Sequence, residues 1–218
     1  MEFKVKDNEC RIECRISPNR LPASFLRAAR PTSKNIDMKE NQSLAEINVY
    51  LKDEESTELL AKQLAPLLST QGEYGQAGGR VHLKGELGSG KTHLVRALLR
   101  ACGVTGRIKS PSYALLESYK VSNLYFYHLD FYRFSDPREW IDAGFRDLLQ
   151  KQAVVLIEWP EQAGALLSPP DLEISLEYAG AGRLARLTAY SNKGKSWLTS
   201  LVLPPQEFPP RDSPAAES

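Results

Sequence analysis

Apolar and polar residues first alternate over 47–51 (INVYL), the period of a strand with one buried face. Asp53 follows and can cap a helix with its carboxylate. A helical stripe then runs over about 54–68, with Leu59, Leu60, Gln63, Leu64 and Leu67 along one side. The Gly-rich stretch 72–79 reads as a loop. VHLK (81–84) is a short strand that runs straight into GELGSGKT. Beyond it, Leu94, Val95, Leu98, Leu99 and Cys102 share one helical face, and Gly103 stops the helix.

Two strand-like runs, 113–119 and 124–130, flank the turn Val121-Ser122-Asn123 and predict an antiparallel hairpin. Asp136-Pro137-Arg138-Glu139 predicts a helix start. Asp136 can cap, Pro137 suits the first turn, and Glu139 can close a capping box. AVVLIEW (153–159) is a continuous apolar run ending in an acid, as a buried strand does. LEISLEY (172–178) and LARLTAY (184–190) alternate across a Gly-rich turn and predict a second hairpin. Strands and helices interleave, so the expected fold class is α/β, a mixed β-sheet of the P-loop NTPase kind with helices packed on it.

Periodicity also divides the chain. Residues 45–202 carry the apolar signals and are the expected domain. Residues 1–44 lack long periodic patterns, and 17–36 hold Arg20, Arg27, Arg30 and Lys34 with prolines and no acid, which predicts a basic, disordered arm. Met38 offers an internal start that would leave most of this arm out. Residues 203–218 (LPPQEFPPRDSPAAES) predict a proline-rich disordered tail.

Composition changes the picture in two ways. The formal net charge is +1 over 218 residues, so no global field draws the chain to nucleic acid or to a membrane; an RNA partner would need a local patch or an intermediary. The 3 cysteines, Cys10, Cys14 and Cys102, are too few and too unevenly placed for a disulfide framework or a zinc site, and they fit a reducing, cytoplasmic setting. No apolar run is long enough to span a bilayer, and the charged N-terminal stretch is unlike a secretory signal.

The chemistry concentrates at 85–92, which matches G-x-x-x-x-G-K-T in full. Gly85, Gly88 and Gly90 let the backbone take positive φ and approach a phosphate. Successive amides, with Ser89 among them, form a nest for anionic oxygens, and the following helix adds its positive end. Lys91 then reaches the β- and γ-phosphates, and the Thr92 hydroxyl ligates Mg2+. Asp130 ends LYFYHLD and Glu158 ends AVVLIE. Ligands of open α/β sheets bind beyond the carboxyl ends of strands, so both acids can face the same nucleotide. One would hold Mg2+ and the other would position water or support the metal shell. Ser112, in Ser110-Pro111-Ser112-Tyr113, is placed to sense a γ-phosphate. Trp159 is a core aromatic, a base-stacking surface or a docking anchor. His82, His93 and His128 are scattered and read as structural. The guanine-reading Asn-Lys-x-Asp stretch does not occur, which favours ATP over GTP.

GELGSGKT, SPSYALLESY, YHLDFYR, DPREW and LIEWPEQ occur in this order with close spacing, and together they resemble the TsaE (YjeE) family of bacterial P-loop ATPases over about residues 47–200. The resemblance implies a role in forming threonylcarbamoyladenosine in tRNAs that read ANN codons. It implies ATP and Mg2+ as cofactors, and docking on the TsaB–TsaD heterodimer, so that tRNA is met indirectly through the complex. Carried onto matching positions, it makes Lys91 the phosphate lysine, Thr92 the Mg2+ ligand, Asp130 and Glu158 the acidic pair, and Trp159 the tryptophan of the EW pair. It also places Thr57, in DEESTELLA, close to the nucleotide. The family usually reads SPTY; here Ser112 replaces the threonine and keeps the hydroxyl. Two other readings compete. One is a small-molecule P-loop kinase with Arg133 or Arg138 as lid arginines, although no lid insertion is apparent. The other is a nucleotide-gated adaptor with little turnover.

Overall fold

The computed structural model describes residues 42–69, 77–150, 152–206 and 208. The basic arm, Cys10 and Cys14, most of the Gly-rich stretch and nearly all of the chain beyond 206 lie outside the described residues.

Seven strands form one mixed sheet in the order β1-β7-β6-β2-β5-β4-β3. They are β1 (Ala45–Leu51), β2 (Gly79–Lys84), β3 (Leu116–Val121), β4 (Leu124–Asp130), β5 (Ala153–Glu158), β6 (Leu172–Ala179) and β7 (Gly182–Ala189). The central strand β2 is parallel to both neighbours, β5 and β6, and β4 is parallel to β5. The hairpins β3–β4 and β6–β7 and the pair β1–β7 are antiparallel. The register sets Leu83 opposite Glu158 and Glu158 opposite Asp130, so β2, β5 and β4 finish at one edge of the sheet.

The continuous apolar run of β5 is buried on both faces, as expected of a strand with parallel neighbours. Val154 and Leu156 join the larger core, beneath α1 (Glu54–Ser69), α2 (Lys91–Ala101) and α4 (Asn192–Ser200). Ala153, Val155 and Ile157 face a second core, rich in aromatics, with Phe131, Phe134, Trp140 and Phe145. Phe131 anchors that layer, with its ring 5.1 Å from Phe134 and 6.3 Å from Trp140. The same alternation on β4 puts Phe126 in the larger core and Tyr127 and Leu129 in the second. His128 and Asp130, two and four residues beyond Phe126, therefore share the α2 side of the sheet.

Local chemistry explains most boundaries. Asp53 caps α1, its carboxylate accepting from the Ser56 amide (2.8 Å) and hydroxyl (2.5 Å). Glu139 reaches back to the Ser135 and Asp136 amides (2.9 and 2.8 Å), closing the expected box ahead of the short α3 (Glu139–Asp142).

Three details depart from the sequence reading. On α1 the buried residues are Leu60, Ala61, Leu64, Ala65 and Leu68; Leu60 and Leu64 of the expected stripe are among them and Leu67 packs partly buried against the core, but Leu59 is 40% exposed. Residues 113–115 turn rather than extend, and β3 starts only at Leu116. Helix α4 went unforeseen. Its cap Ser191 accepts from the Gly194 amide at 3.1 Å, and Trp197 and Leu198 enter the core. Gly194 sits where a Cβ would stand 1.8 Å from the Asp171 carbonyl oxygen, so only glycine allows this contact. After α4, Leu203 packs against the core and the Gln206 side chain accepts from the Tyr50 amide of edge strand β1 (2.9 Å), so the first residues of the proline-rich segment touch the domain.

Candidate functional site

The central strand ends at Lys84, and the chain turns through Gly85, Gly88 and Gly90 with φ of 133°, 79° and 105° before α2 begins at Lys91. Each of these angles favours glycine. At Gly85 the constraint is also steric, because a Cβ would lie 2.4 Å from the Leu176 carbonyl oxygen on β6. Ser89 is buried within the turn, its hydroxyl without a hydrogen-bond partner. Lys91 folds back into the loop and donates to the carbonyls of Gly85 (2.7 Å) and Glu86 (2.8 Å). Its ammonium also lies 4.0 Å from the centre of the Trp159 ring. Burial holds this ammonium below the usual lysine range, against the opposing pull of the Glu158, Glu161 and Asp130 carboxylates.

Beside the loop, Glu158 is buried and uses both oxygens. Oε2 accepts from the Thr92 hydroxyl at 2.8 Å, and Oε1 accepts from His128 Nε2 at 2.8 Å. The Thr92 hydroxyl gives up its hydrogen here and keeps its lone pairs for a cation. Asp130, next to Glu158 in the sheet, accepts from the Ser112 hydroxyl at 2.6 Å and from the Tyr132 amide at 3.0 Å. Ser112 is in turn 2.8 Å from the Ser110 hydroxyl. Each predicted acid therefore meets a predicted hydroxyl, Glu158 with Thr92 and Asp130 with Ser112.

Trp159 leaves the strand in the left-handed region (φ 58°, ψ 48°), an uncommon conformation for a large side chain. The turn aims its ring across the loop, where it covers the Lys91 ammonium and tilts on Tyr132 at 5.0 Å. It packs at the margin of the aromatic core and is only partly buried. Thr57 lies in the first turn of α1 and donates to the Asp53 carbonyl at 3.2 Å; no hydrogen bond joins it to the P-loop among the described residues. It nonetheless follows β1, whose last residue, Leu51, pairs with Arg183, and Arg183 touches the P-loop. Arg133, a candidate lid arginine, is stacked 4.1 Å from the Tyr113 ring, itself 85% exposed.

Sequence reasoning missed two contributions. His128 reads as structural in the sequence, yet its imidazole bonds to Glu158; the signal is its position two residues before Asp130, on the same face of an alternating strand. The β6–β7 hairpin also supports the loop. The Tyr178 hydroxyl donates to the Leu87 carbonyl (3.2 Å), Arg183 Nε donates to the Ser89 carbonyl (3.2 Å), and the guanidinium stacks 4.0 Å from the Tyr178 ring. Only the pairing of Tyr178 with Arg183 across the hairpin brings these together, and no local pattern encodes it.

The donors suit Mg2+. They are a hydroxyl and carboxylate oxygens, hard ligands of the kind this ion prefers. No group of three or more His, Cys, Asp or Glu able to hold a metal by itself occurs among the described residues. An ion here would draw the rest of its six oxygens from phosphates and water, as is usual for Mg2+ bound with a nucleotide.

The family model described as "Threonylcarbamoyl adenosine biosynthesis protein TsaE" matches residues 51–186. The chain is 34% identical over 151 residues to the tRNA threonylcarbamoyladenosine biosynthesis protein TsaE of Haemophilus influenzae, covering 69% of this chain and 94% of that protein. It is 41% identical over 130 residues to the protein of the same name from Rickettsia felis (59% and 71% covered). With that of Bacillus subtilis it shares 30% over 140 residues (64% and 83% covered). The crystal structure of YdiB from Bacillus subtilis is similar with a TM-score of 0.58 at 25% identity, covering 71% of this chain and 93% of that one. No helix among the described residues is long and apolar enough to cross a membrane.

Proposed function

The chain belongs to the TsaE family of tRNA threonylcarbamoyladenosine biosynthesis, and from that premise we propose that it binds ATP with Mg2+ on the 85–92 loop and hydrolyses it. The hydrolysis would serve threonylcarbamoylation of tRNAs that read ANN codons, with the chain docked on a TsaB–TsaD complex in the cytoplasm. The observation that carries this reading is the meeting of the Thr92 hydroxyl with Glu158 at 2.8 Å, at the start of the helix that follows a loop of positive-φ glycines.

The amides of Gly88 and Gly90 and the start of α2 bind the phosphates, and the Ser89 amide, which donates to the Glu86 carbonyl at 3.1 Å, would exchange that acceptor for a phosphate oxygen. Lys91 exchanges two neutral carbonyl acceptors for phosphate oxygens, an exchange favoured by charge. Thr92 and Glu158, with Asp130 beside them, would hold Mg2+, which supplies positive charge against the β- and γ-phosphates. Asp130, fixed by Ser112 and the Tyr132 amide, keeps lone pairs free to orient the attacking water. Water adds to the γ-phosphorus and the bond to the bridging oxygen breaks, leaving ADP and phosphate. The test is ATP turnover by the chain alone, with small phosphate acceptors, and with TsaB–TsaD and tRNA. Stimulation only in the last mixture supports the reading, and phosphate transfer to a small acceptor would favour a kinase.

A further inference from the structure

We propose that His128 is the positioning residue that sets the orientation of the Glu158 carboxylate for Mg2+, an inference that rests on the reading of Glu158 as the Mg2+ acid. His128 lies on β4 in register with Leu156 of β5, two residues before the level of Glu158, and its ring reaches diagonally across to the end of the neighbouring strand. Its Nε2 lies 2.8 Å from Glu158 Oε1, and because a carboxylate oxygen only accepts, the bond requires the tautomer with the hydrogen on Nε2. Thr92 engages only the other oxygen, so a carboxylate held by Thr92 alone would be free to turn about that contact. Held at both oxygens, its plane is fixed, and Oε2 stays beside the hydroxyl that would share the ion.

A second observation separates this role from plain packing. The imidazole has 0% exposure, and its other nitrogen, Nδ1, has no hydrogen-bond partner. Burying an unpartnered polar nitrogen costs stability, and an apolar ring would fill the space without that cost, as Phe126 does two residues earlier on the same face. What histidine adds at this position is its single bond to Glu158. Ligand-orienting contacts of this kind change metal affinity by about 10–100-fold when removed.

The test uses four variants of the full chain: His128→Phe and His128→Leu, which remove the donor, His128→Gln, which returns an N–H at similar reach, and Glu158→Gln. The Mg2+ concentration that half-saturates nucleotide binding is measured by calorimetry, beside metal-free nucleotide affinity and the thermal midpoint. The expected result is a Mg2+ requirement raised about 10-fold or more in the Phe and Leu variants. The His128→Gln variant should return to within a few-fold of the original, and metal-free affinity should stay unchanged in the three His128 variants. A normal Mg2+ requirement in a folded Phe or Leu variant, with a raised one in Glu158→Gln, overturns the positioning role alone. A normal requirement in Glu158→Gln overturns the metal reading beneath it. Should neither apolar variant fold, nitrogen NMR of the unaltered protein decides. The hydrogen must sit on His128 Nε2 without nucleotide and remain there with Mg2+ and ADP; a hydrogen on Nδ1 instead overturns the proposal.

Discussion

Replacing Glu158 by Gln separates what the carboxylate does for the fold from what it does for a cation. In the fold it accepts two hydrogens, one from Thr92 and one from His128, at 2.8 Å each. Glutamine offers one oxygen and one amide group. The oxygen can serve Thr92, and the amide can serve His128 if the imidazole moves its hydrogen to Nδ1, which has no other partner. Both bonds then survive, and stability should change by less than about 1 kcal/mol, a net hydrogen bond's worth. Glu158→Ala lacks this route. It strands the buried His128 donor at about 1–3 kcal/mol, and the half-buried Thr92 hydroxyl at less, partly offset by relief from burying a charge. The Mg2+ site responds differently. Glutamine keeps the shape and loses the charge, so Mg2+-dependent nucleotide affinity should fall by at least the roughly 10–100-fold seen on losing weaker, ligand-orienting contacts. Titrating ADP with and without Mg2+, alongside thermal unfolding, measures both quantities on the same protein. A Glu158→Gln variant that unfolds at the original temperature and keeps its full Mg2+ dependence would refute the assignment.

Asp130→Asn should retain nucleotide affinity within a few-fold while slowing turnover, because Asn still accepts from the Tyr132 amide and Ser112 can reverse its hydroxyl; equal losses in kcat and affinity would mark a structural carboxylate. Gly85→Ala forces a Cβ to within 2.4 Å of the Leu176 carbonyl at a φ of 133° and should cost on the order of 3 kcal/mol, or roughly 6–12 °C of thermal midpoint, with loss of nucleotide binding; an unchanged midpoint would contradict the packing. His82 is buried on β2 with Nε2 unpartnered, and burial, helped by Arg80 and Lys84, pushes its pKa down to about 3. The unfolded chain therefore takes up this proton first, and stability is lost as pH falls from about 6.5 toward 3, by about 2 kcal/mol at pH 5. His82→Leu should remove that part of the acid slope in denaturant titrations, and an identical slope in both proteins would show that His82 is not its source.

The parts of this molecule that were legible in the sequence are those encoded locally. The 85–92 loop announces itself by residue type and spacing, and its place between β2 and α2 follows from periodicity on either side. Asp53 and Glu139 mark their helix starts through contacts spanning only a few residues. Asp130 and Glu158 were identifiable as strand-end acids because a parallel sheet gathers such ends at one edge. What stayed hidden depends on tertiary pairing. Leu59 looks as apolar as Leu60, and only the packing of α1 on its neighbours, with Ala61 and Ala65 on the covered face, separates the two. Helix α4 is short and polar and carries Gly194, whose purpose is visible only beside the Asp171 carbonyl. Tyr178 and Arg183 support the P-loop from β6 and β7, far along the chain. His128 is hidden because a lone histidine in an apolar strand is ordinarily packing, and its partner lies on another strand.

The most direct test of the central claim is the yield of threonylcarbamoyladenosine on tRNA over many turnovers of purified TsaB–TsaD, with a threonylcarbamoyl donor, ATP, Mg2+ and either the original chain or Lys91→Ala. The account predicts sustained modification, with ATP consumed in step, only with the original chain. Lys91→Ala should support little beyond the first turnover, since its loop can no longer charge-pair with the phosphates. Equal sustained modification by the two proteins, or sustained modification without any ATP turnover attributable to this chain, would contradict it.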